Sequence, residues 1–464
     1  MFHPQHCIMM MKVCQTVSLS VFLFVFAAVS AFAQGIPALS PDQPAEAVKP
    51  VETAAADPLK AELQGAADLF NETDFNGALE KLKEICGRNT KLAPPRLMLA
   101  QWFSRANQPN GVFASLNAAT TESPTDPEAF ILLGEIALKK NETAAATLFF
   151  QKGGALLAQY SADAERKKLM QISLLRNETI LAELRSDWKG MENCSDQRVA
   201  LEGKTPELLR VKAVSLFRQE RDQECAQWLA QADQAAASQK NKGLPAEAIL
   251  AQLYTSRGGD ENIDRGKKFL NAAVQKYPKS KEVLALSVNT KLADDDLTGA
   301  RRLAESLVAE DPNAKQLLAT VALFQGEYAT AEKLFQDIVV ESPANIAATN
   351  GLALALCEQD DPAKLKRAGE YALENVRKQN NNGDLLGTLG WVLFKAKNYQ
   401  QAGQVLQQAA AGGNINSQTA YYLAEFVNHN GNKDQAKQLL EAALKGNRPF
   451  AKKAAAKKLL ETLK

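Results

Sequence analysis

The residue types that carry most enzyme and metal chemistry are thin in this chain. Its three histidines are His3, His6 and His429. The first two precede an apolar run from Val17 to Ala31, which follows Lys12 and leads into Ala31-Phe32-Ala33. A basic residue, a short apolar core and a small-x-small site predict a secretory signal peptide cut between Ala33 and Gln34. The run falls short of the roughly 20 apolar residues that a membrane span needs. The mature chain then retains His429 alone, which argues against a histidine metal site and against a nucleophile–histidine pair. Cys86, Cys194, Cys225 and Cys357 show no CxxC spacing, and each falls where small apolar residues recur, so buried thiols are expected. Cys194 and Cys225 could also pair with each other in an oxidising compartment. Asp294-Asp295-Asp296 lacks the glycine and distal glutamate of a calcium loop and reads as a solvated turn. There is no GxxxxGK[ST], GxGxxG or GxSxG pattern. The expectation is no enzyme, no cofactor and no metal.

Charge narrows the partners. Fifty-four basic residues face 53 acidic ones, for a net charge of +1, with none of the basic excess of a nucleic-acid binder. Four Asn-x-Ser/Thr triplets begin at Asn71, Asn141, Asn177 and Asn193. Two of them stand where turn residues are expected anyway.

What remains must be positioned by helices, and the helices recur. Gly390 lines up with Ala424, Ala402 with Ala436, Leu406 with Leu440, and Ala409 with Ala443, each pair 34 residues apart. Small and large apolar residues at that period predict an array of helical hairpins. Leu386, Leu389, Gly390 and Leu393 share one face of the first helix. A small residue there lets the second helix, with Ala402, Leu406 and Ala409, approach closely. Asn398 and Gly431 supply turn residues that tolerate the left-handed conformation.

The pattern resembles the tetratricopeptide repeat: a small residue in the first helix, an aromatic after the turn (Tyr399), then alanine, a large apolar residue and alanine. Asn414 stands where proline is usual. The resemblance implies an all-α, right-handed superhelical solenoid of about eleven hairpins with a C-terminal capping helix. The ending from Tyr421 to Leu463 also resembles exported bacterial repeat proteins linked to polysaccharide export.

Along the chain, the signal peptide (1–33) is followed by a Pro/Ala-rich linker (34–58) that cannot bury enough surface to fold. Divergent hairpins are expected over 59–240 and more regular ones over 241–449. The fourth hairpin is divergent, with Cys194 and Val199 in a poor second helix, and the ninth carries an insertion at Asp361-Pro362. Residues 450–464 form the cap, with Phe450, Leu460 and Leu463 covering the open end of the last hairpin and Lys452, Lys453, Lys457 and Lys458 on a solvated face.

If the hairpins stack, the first helices line an inner groove. That face would present Phe324 in the eighth hairpin and Asn350 and Glu358 in the ninth. The tenth adds Trp391, Phe394 and Lys395, and the eleventh Tyr421, Glu425, Asn428 and His429. Aromatics at a groove contribute disproportionately to binding. The same spacing also suits aromatics that simply fill space between helices. The peptide clamp known in the family needs lysines that are missing here. The functional expectation is an exported protein–protein scaffold that binds an unidentified protein partner, with no nucleic acid and no integral span after cleavage. A cell-envelope or polysaccharide-export subunit is the main alternative, and a helical glycan-acting enzyme the lesser one.

Overall fold

A computed structural model describes residues 58–463 except 240–242, 312–313, 412–414 and 447–448. The signal peptide, and the linker up to residue 57, lie outside the described residues. Those described hold twenty-three α-helices and no strand. Twenty-two of them pair as eleven successive hairpins, and Lys453–Thr462 is left over at the end.

Contacts divide the chain into two units, 58–239 with 252–259, and 243–251 with 260–463. In the first unit the hairpins pair Pro58–Asn71 with Phe75–Arg88, Pro95–Arg105 with Pro109–Glu122, and Glu128–Lys139 with Thr143–Gln159. Ala164–Leu184 with Trp188–Glu202 and Pro206–Arg218 with Asp222–Ala236 complete it. The sixth hairpin, Ala246–Arg257 with Asp260–Lys276, is divided between the units. The second unit continues with Lys281–Ala293 and Leu297–Glu310, Lys315–Phe324 and Tyr328–Glu341, and Ile346–Cys357 and Pro362–Lys378. Gly383–Lys395 with Tyr399–Ala411 and Ser417–His429 with Lys433–Lys445 are the tenth and eleventh.

The 34-residue period has a backbone counterpart. Thr73, Asn107 and Asn141 sit in the left-handed conformation at the turns of the first three hairpins, as do Ser186 and Glu220 at the next two. Asp295, Gly326, Lys397 and Gly431 do the same in the seventh, eighth, tenth and eleventh. The residue after each turn often caps the second helix. Asp74, Asp187 and Asp296 each accept a hydrogen bond from the backbone N–H three residues on, at 2.9 Å. This corrects the tenth turn: Lys397 is the left-handed residue, and Asn398 is the cap, facing the Gln401 N–H. It also accounts for the acidic run. Asp295 makes the turn, Asp296 caps, and Asp294 pairs with Lys267. In the ninth hairpin Asp361 caps ahead of Pro362, bonding the N–H groups of Ala363 and Lys364.

The small residues make the close approaches for which the repeat selects them. Ala402, Leu406, Ala436 and Leu440 are fully buried. A Cβ on Gly390 would lie 2.6 Å from Cγ of Leu406, and one on Gly134 would lie 2.4 Å from the Phe150 ring. Gly390→Ala is therefore expected to lower stability by about 1–2 kcal/mol, the overpacking exceeding the gain in helix propensity. Gly369→Ala is the control. Its nearest neighbour is Val392 Cγ1 at 4.0 Å, so propensity alone acts there and stability rises. Urea melts followed by circular dichroism measure both, and equal signs would sink the packing account.

The fourth hairpin is held differently. Its second helix, Trp188–Glu202, buries Met191, Glu192 and Ser195, with Cys194 and Val199 half-buried. Burial raises the Glu192 carboxyl, but hydrogen bonds from Lys189, Gln219 and Arg221 outweigh that and hold it at about 2. Asn177, one of the Asn-x-Thr asparagines, is buried and donates to the Ser173 carbonyl.

Candidate functional site

First helices of neighbouring hairpins touch one another: Gly383–Lys395 packs on both Ile346–Cys357 and Ser417–His429. Their shared side is the inner face of the second unit, and the expected groove residues gather along it. Trp391 does not present its ring to solvent. It is 5% exposed, stacked on Tyr422 at 4.6 Å and on Phe394 at 5.4 Å between ring centroids. Tyr421 is buried as well, and its hydroxyl donates to Glu425. Burial, and then that bond to a carboxylate, push the Tyr421 hydroxyl far above its usual range. Both rings thus fill the seams between first helices. His429 is exposed and stacks on Tyr399 at 4.1 Å, with Phe394 meeting its edge at 5.7 Å. Asn428 is half-buried beside it.

The centre of the site is a residue that Trp391 points to. Trp391 Nε1 donates to Glu358 Oε1 at 2.7 Å. Glu358 follows the last residue of helix Ile346–Cys357, and its side chain is 7% exposed. Its other oxygen takes Lys452 Nζ at 2.7 Å and Lys395 Nζ at 3.5 Å. A buried carboxylate persists only when it is paired and hydrogen-bonded, and here an indole and two ammonium groups meet it. Lys452 also donates to the Tyr328 hydroxyl at 2.9 Å. Burial lowers the Lys452 ammonium, but Glu358 and Tyr328 more than offset it and hold it above its usual range.

A cavity of about 240 Å³ opens beside Glu358. Gln316, Thr320, Phe324 and Asn350 line one side, and Ala451 and Lys452 close another. Three expected groove residues, Phe324, Asn350 and Glu358, are therefore brought together here, away from His429 and Asn428. The carbonyl oxygen of Asn350 is buried and has no hydrogen-bond partner. Such an atom costs stability and marks a place where a donor would be accepted.

The C-terminal segment takes its expected place as a cap, its helix Lys453–Thr462 packing on Lys433–Lys445 of the last hairpin. Phe450 is buried, as expected of a cap. The segment also reaches the inner face through individual groups. Ala451 N–H donates to Gln418 at 3.3 Å, and Lys453 Nζ reaches the Ala293 carbonyl at 3.0 Å. Lys453 and Lys457 face Asp295 at 3.3 and 3.4 Å. Of the four lysines expected on a solvated face, Lys457 and Lys458 are exposed, while Lys452 and Lys453 are half-buried. The pattern of single repeats hides this, because the partners lie two to four hairpins away. The one readable hint was charge: a lysine-bearing helix in a chain whose seventh turn is triply acidic.

Reactive groups are few. All four described cysteines are free thiols, Cys194 and Cys225 included. Burial pushes Cys194 up to about 11 and Cys225 up to about 12, which removes the thiolate that nucleophilic attack needs. Among the described residues no group of three or more His, Cys, Asp or Glu could hold a metal ion. Nor is any helix there long and apolar enough to cross a membrane.

Residues 393–460 match the family model described as tetratricopeptide repeat. No curated protein matches the chain. Among solved structures it is similar to a tetratricopeptide repeat protein from Parabacteroides merdae. That match has 13% identity and a TM-score of 0.41, covering 56% of this chain and 98% of that one. A thermophilic tetratricopeptide repeat protein from Thermus thermophilus is 19% identical over 40% of this chain and 98% of its own, with a TM-score of 0.34. Yeast Tom70 is 12% identical over 87% and 95%, with a TM-score of 0.37. The tetratricopeptide repeat match falls on the last two hairpins and the closing segment, and the rest of the chain shares their hairpin architecture.

Proposed function

We propose that this chain is a non-enzymatic protein–protein interaction scaffold, exported across the inner membrane, that binds a partner segment on the inner face of its eighth to tenth hairpins. The repeat fold suits such a role, since stacked hairpins leave one continuous face for an extended or helical ligand. The observation that carries the location is the cavity beside Glu358, lined by Asn350, whose buried side-chain oxygen has no hydrogen-bond partner. A partner N–H there would satisfy a group the free protein leaves unbonded.

The test is affinity capture from the cell envelope with the wild type and with Asn350→Leu. Leucine removes the unsatisfied oxygen, so the variant is expected to be at least as stable as the wild type. The expected result is a partner recovered with the wild type and lost, or reduced at least tenfold, with the variant. Identical recovery from both would move the site elsewhere. Export is read from the same material: the recovered chain should begin at Gln34, and an intact leader would overturn that part.

A further inference from the structure

We infer that residues 449–463 are a resident ligand of the inner face, a lysine-bearing helix held in cis that a partner's lysine-bearing amphipathic helix replaces. The inference rests on the scaffold reading and names the class of partner.

The segment does more than cover an end. It carries Lys452, Lys453, Lys457 and Lys458 against a single acidic residue, Glu461. Three of those lysines meet acceptors on three different hairpins. Lys452 fills the space between Glu358 in the ninth and Tyr328 in the eighth. Lys453 donates to the carbonyl of Ala293, the last residue of the first helix of the seventh hairpin. That is where unpaired carbonyls and the negative end of the helix dipole favour a cation. Lys453 and Lys457 both face Asp295 in the adjoining turn. On its other side Ala456 is fully buried, and Leu459, Leu460 and Leu463 pack against the core. Apolar anchors on one side and cations on the other are how a helix docks in a groove.

The acceptors come in two kinds. Glu358 is buried and has Trp391 and Lys395 to hold it when Lys452 leaves. Asp295 is half-exposed, so its pairs with Lys453 and Lys457 are solvent-screened and individually weak. The segment is thus held by weak exposed pairs at Asp295, one buried pair at Glu358 and the apolar anchors Phe450 and Ala456, a set that a partner helix of the same pattern can replace. Because Ala451 and Lys452 wall the cavity, its departure also opens the space beside Asn350.

The experiment uses purified full-length chain and a fluorescent synthetic peptide of residues 449–463. In the wild type the resident segment competes and the peptide binds weakly. In Lys453→Glu/Lys457→Glu the resident segment is repelled from Asp295, and the peptide is expected to bind at least tenfold more tightly. Adding Asp295→Lys to that variant restores attraction in cis and also removes the acceptor for the peptide's own lysines, so both effects should return weak binding. Lysine fits the left-handed backbone there, since Lys397 holds the same conformation in the tenth turn. Peptide binding that is equal in all three chains, or absent from all, overturns the inference. Should the double variant misfold by circular dichroism, Asp295→Asn keeps the turn and still loosens the segment. Hydrogen exchange over 453–462 should then quicken several-fold, and unchanged exchange would likewise overturn it. Failure of the capture experiment with success here would sink the scaffold and leave the helix site. A captured partner that the peptide does not displace would leave the scaffold and reduce the segment to a clamp.

Discussion

Trp391→Ala is expected to destabilise the C-terminal hairpins by about 3–5 kcal/mol, the range for removing a buried large aromatic side chain. The ring is nearly fully buried and stacked on both sides, so little relaxation can fill the space it leaves. Aromatic stacking adds about 0.5–1.5 kcal/mol beyond burial alone. The indole N–H is also the neutral donor to Glu358, a carboxylate the variant leaves with ammonium partners only. Trp391→Phe separates the two contributions. It keeps most of the packing and loses the donor, and should cost about 1–2 kcal/mol. Repeat arrays need not unfold in one step, so the measurement is hydrogen exchange resolved by helix. Helices 383–395, 346–357 and 417–429 should all lose protection together in the alanine variant. A loss below about 1 kcal/mol accompanied by loss of a bound partner would assign Trp391 to recognition instead.

That outcome bears on how much could be read from residues alone. The hairpins were legible because their determinants are local and periodic. Gly390, Ala402 and Leu406 belong to one hairpin, and a 34-residue offset exposes them. The turn was legible in kind but not in place. Asparagine tolerates a left-handed backbone, yet Asn398 is worth more as a cap, which leaves Lys397 to take the positive φ. The site was only half legible. Trp391 and Tyr421 lie on the inner side, as expected, but the seam between first helices, which consumes their rings, is set by the packing of one repeat on the next. Glu358 shows the same limit. Its partners are 33 residues ahead in Trp391, 37 ahead in Lys395, and far beyond both in Lys452. No single repeat contains the constellation. A cap's polar back places Lys452 in solvent, and no local rule shows that a segment packed on the last hairpin also sends this lysine to Glu358 two hairpins away.

The first unit offers an equally severe test of a buried charge. Arg166, from the fourth hairpin, reaches back to the start of the third. It makes two bonds to Asp126 at 2.7 and 2.9 Å and two to Glu128 at 2.5 and 3.0 Å. The Tyr160 hydroxyl lies 2.9 Å from the same guanidinium. The side chains of Arg166, Asp126 and Glu128 are 15, 10 and 19% exposed. Burial pulls the guanidinium down, but the two carboxylates more than reverse that and hold it far above its ordinary range. Arg166→Met is expected to cost about 3–5 kcal/mol, because it leaves two neighbouring carboxylates without their cation in a poorly solvated place. The cost lies in breaking the triad and not in lacking it. Arg166→Met combined with Asp126→Asn and Glu128→Gln should recover most of the loss, since the neutral set needs no cation. Chemical denaturation of the single and triple variants, with hydrogen exchange over 128–139 and 164–184, reads both. A triple variant as weak as the single one would mean that the charges themselves, and not their pairing, hold the third and fourth hairpins together.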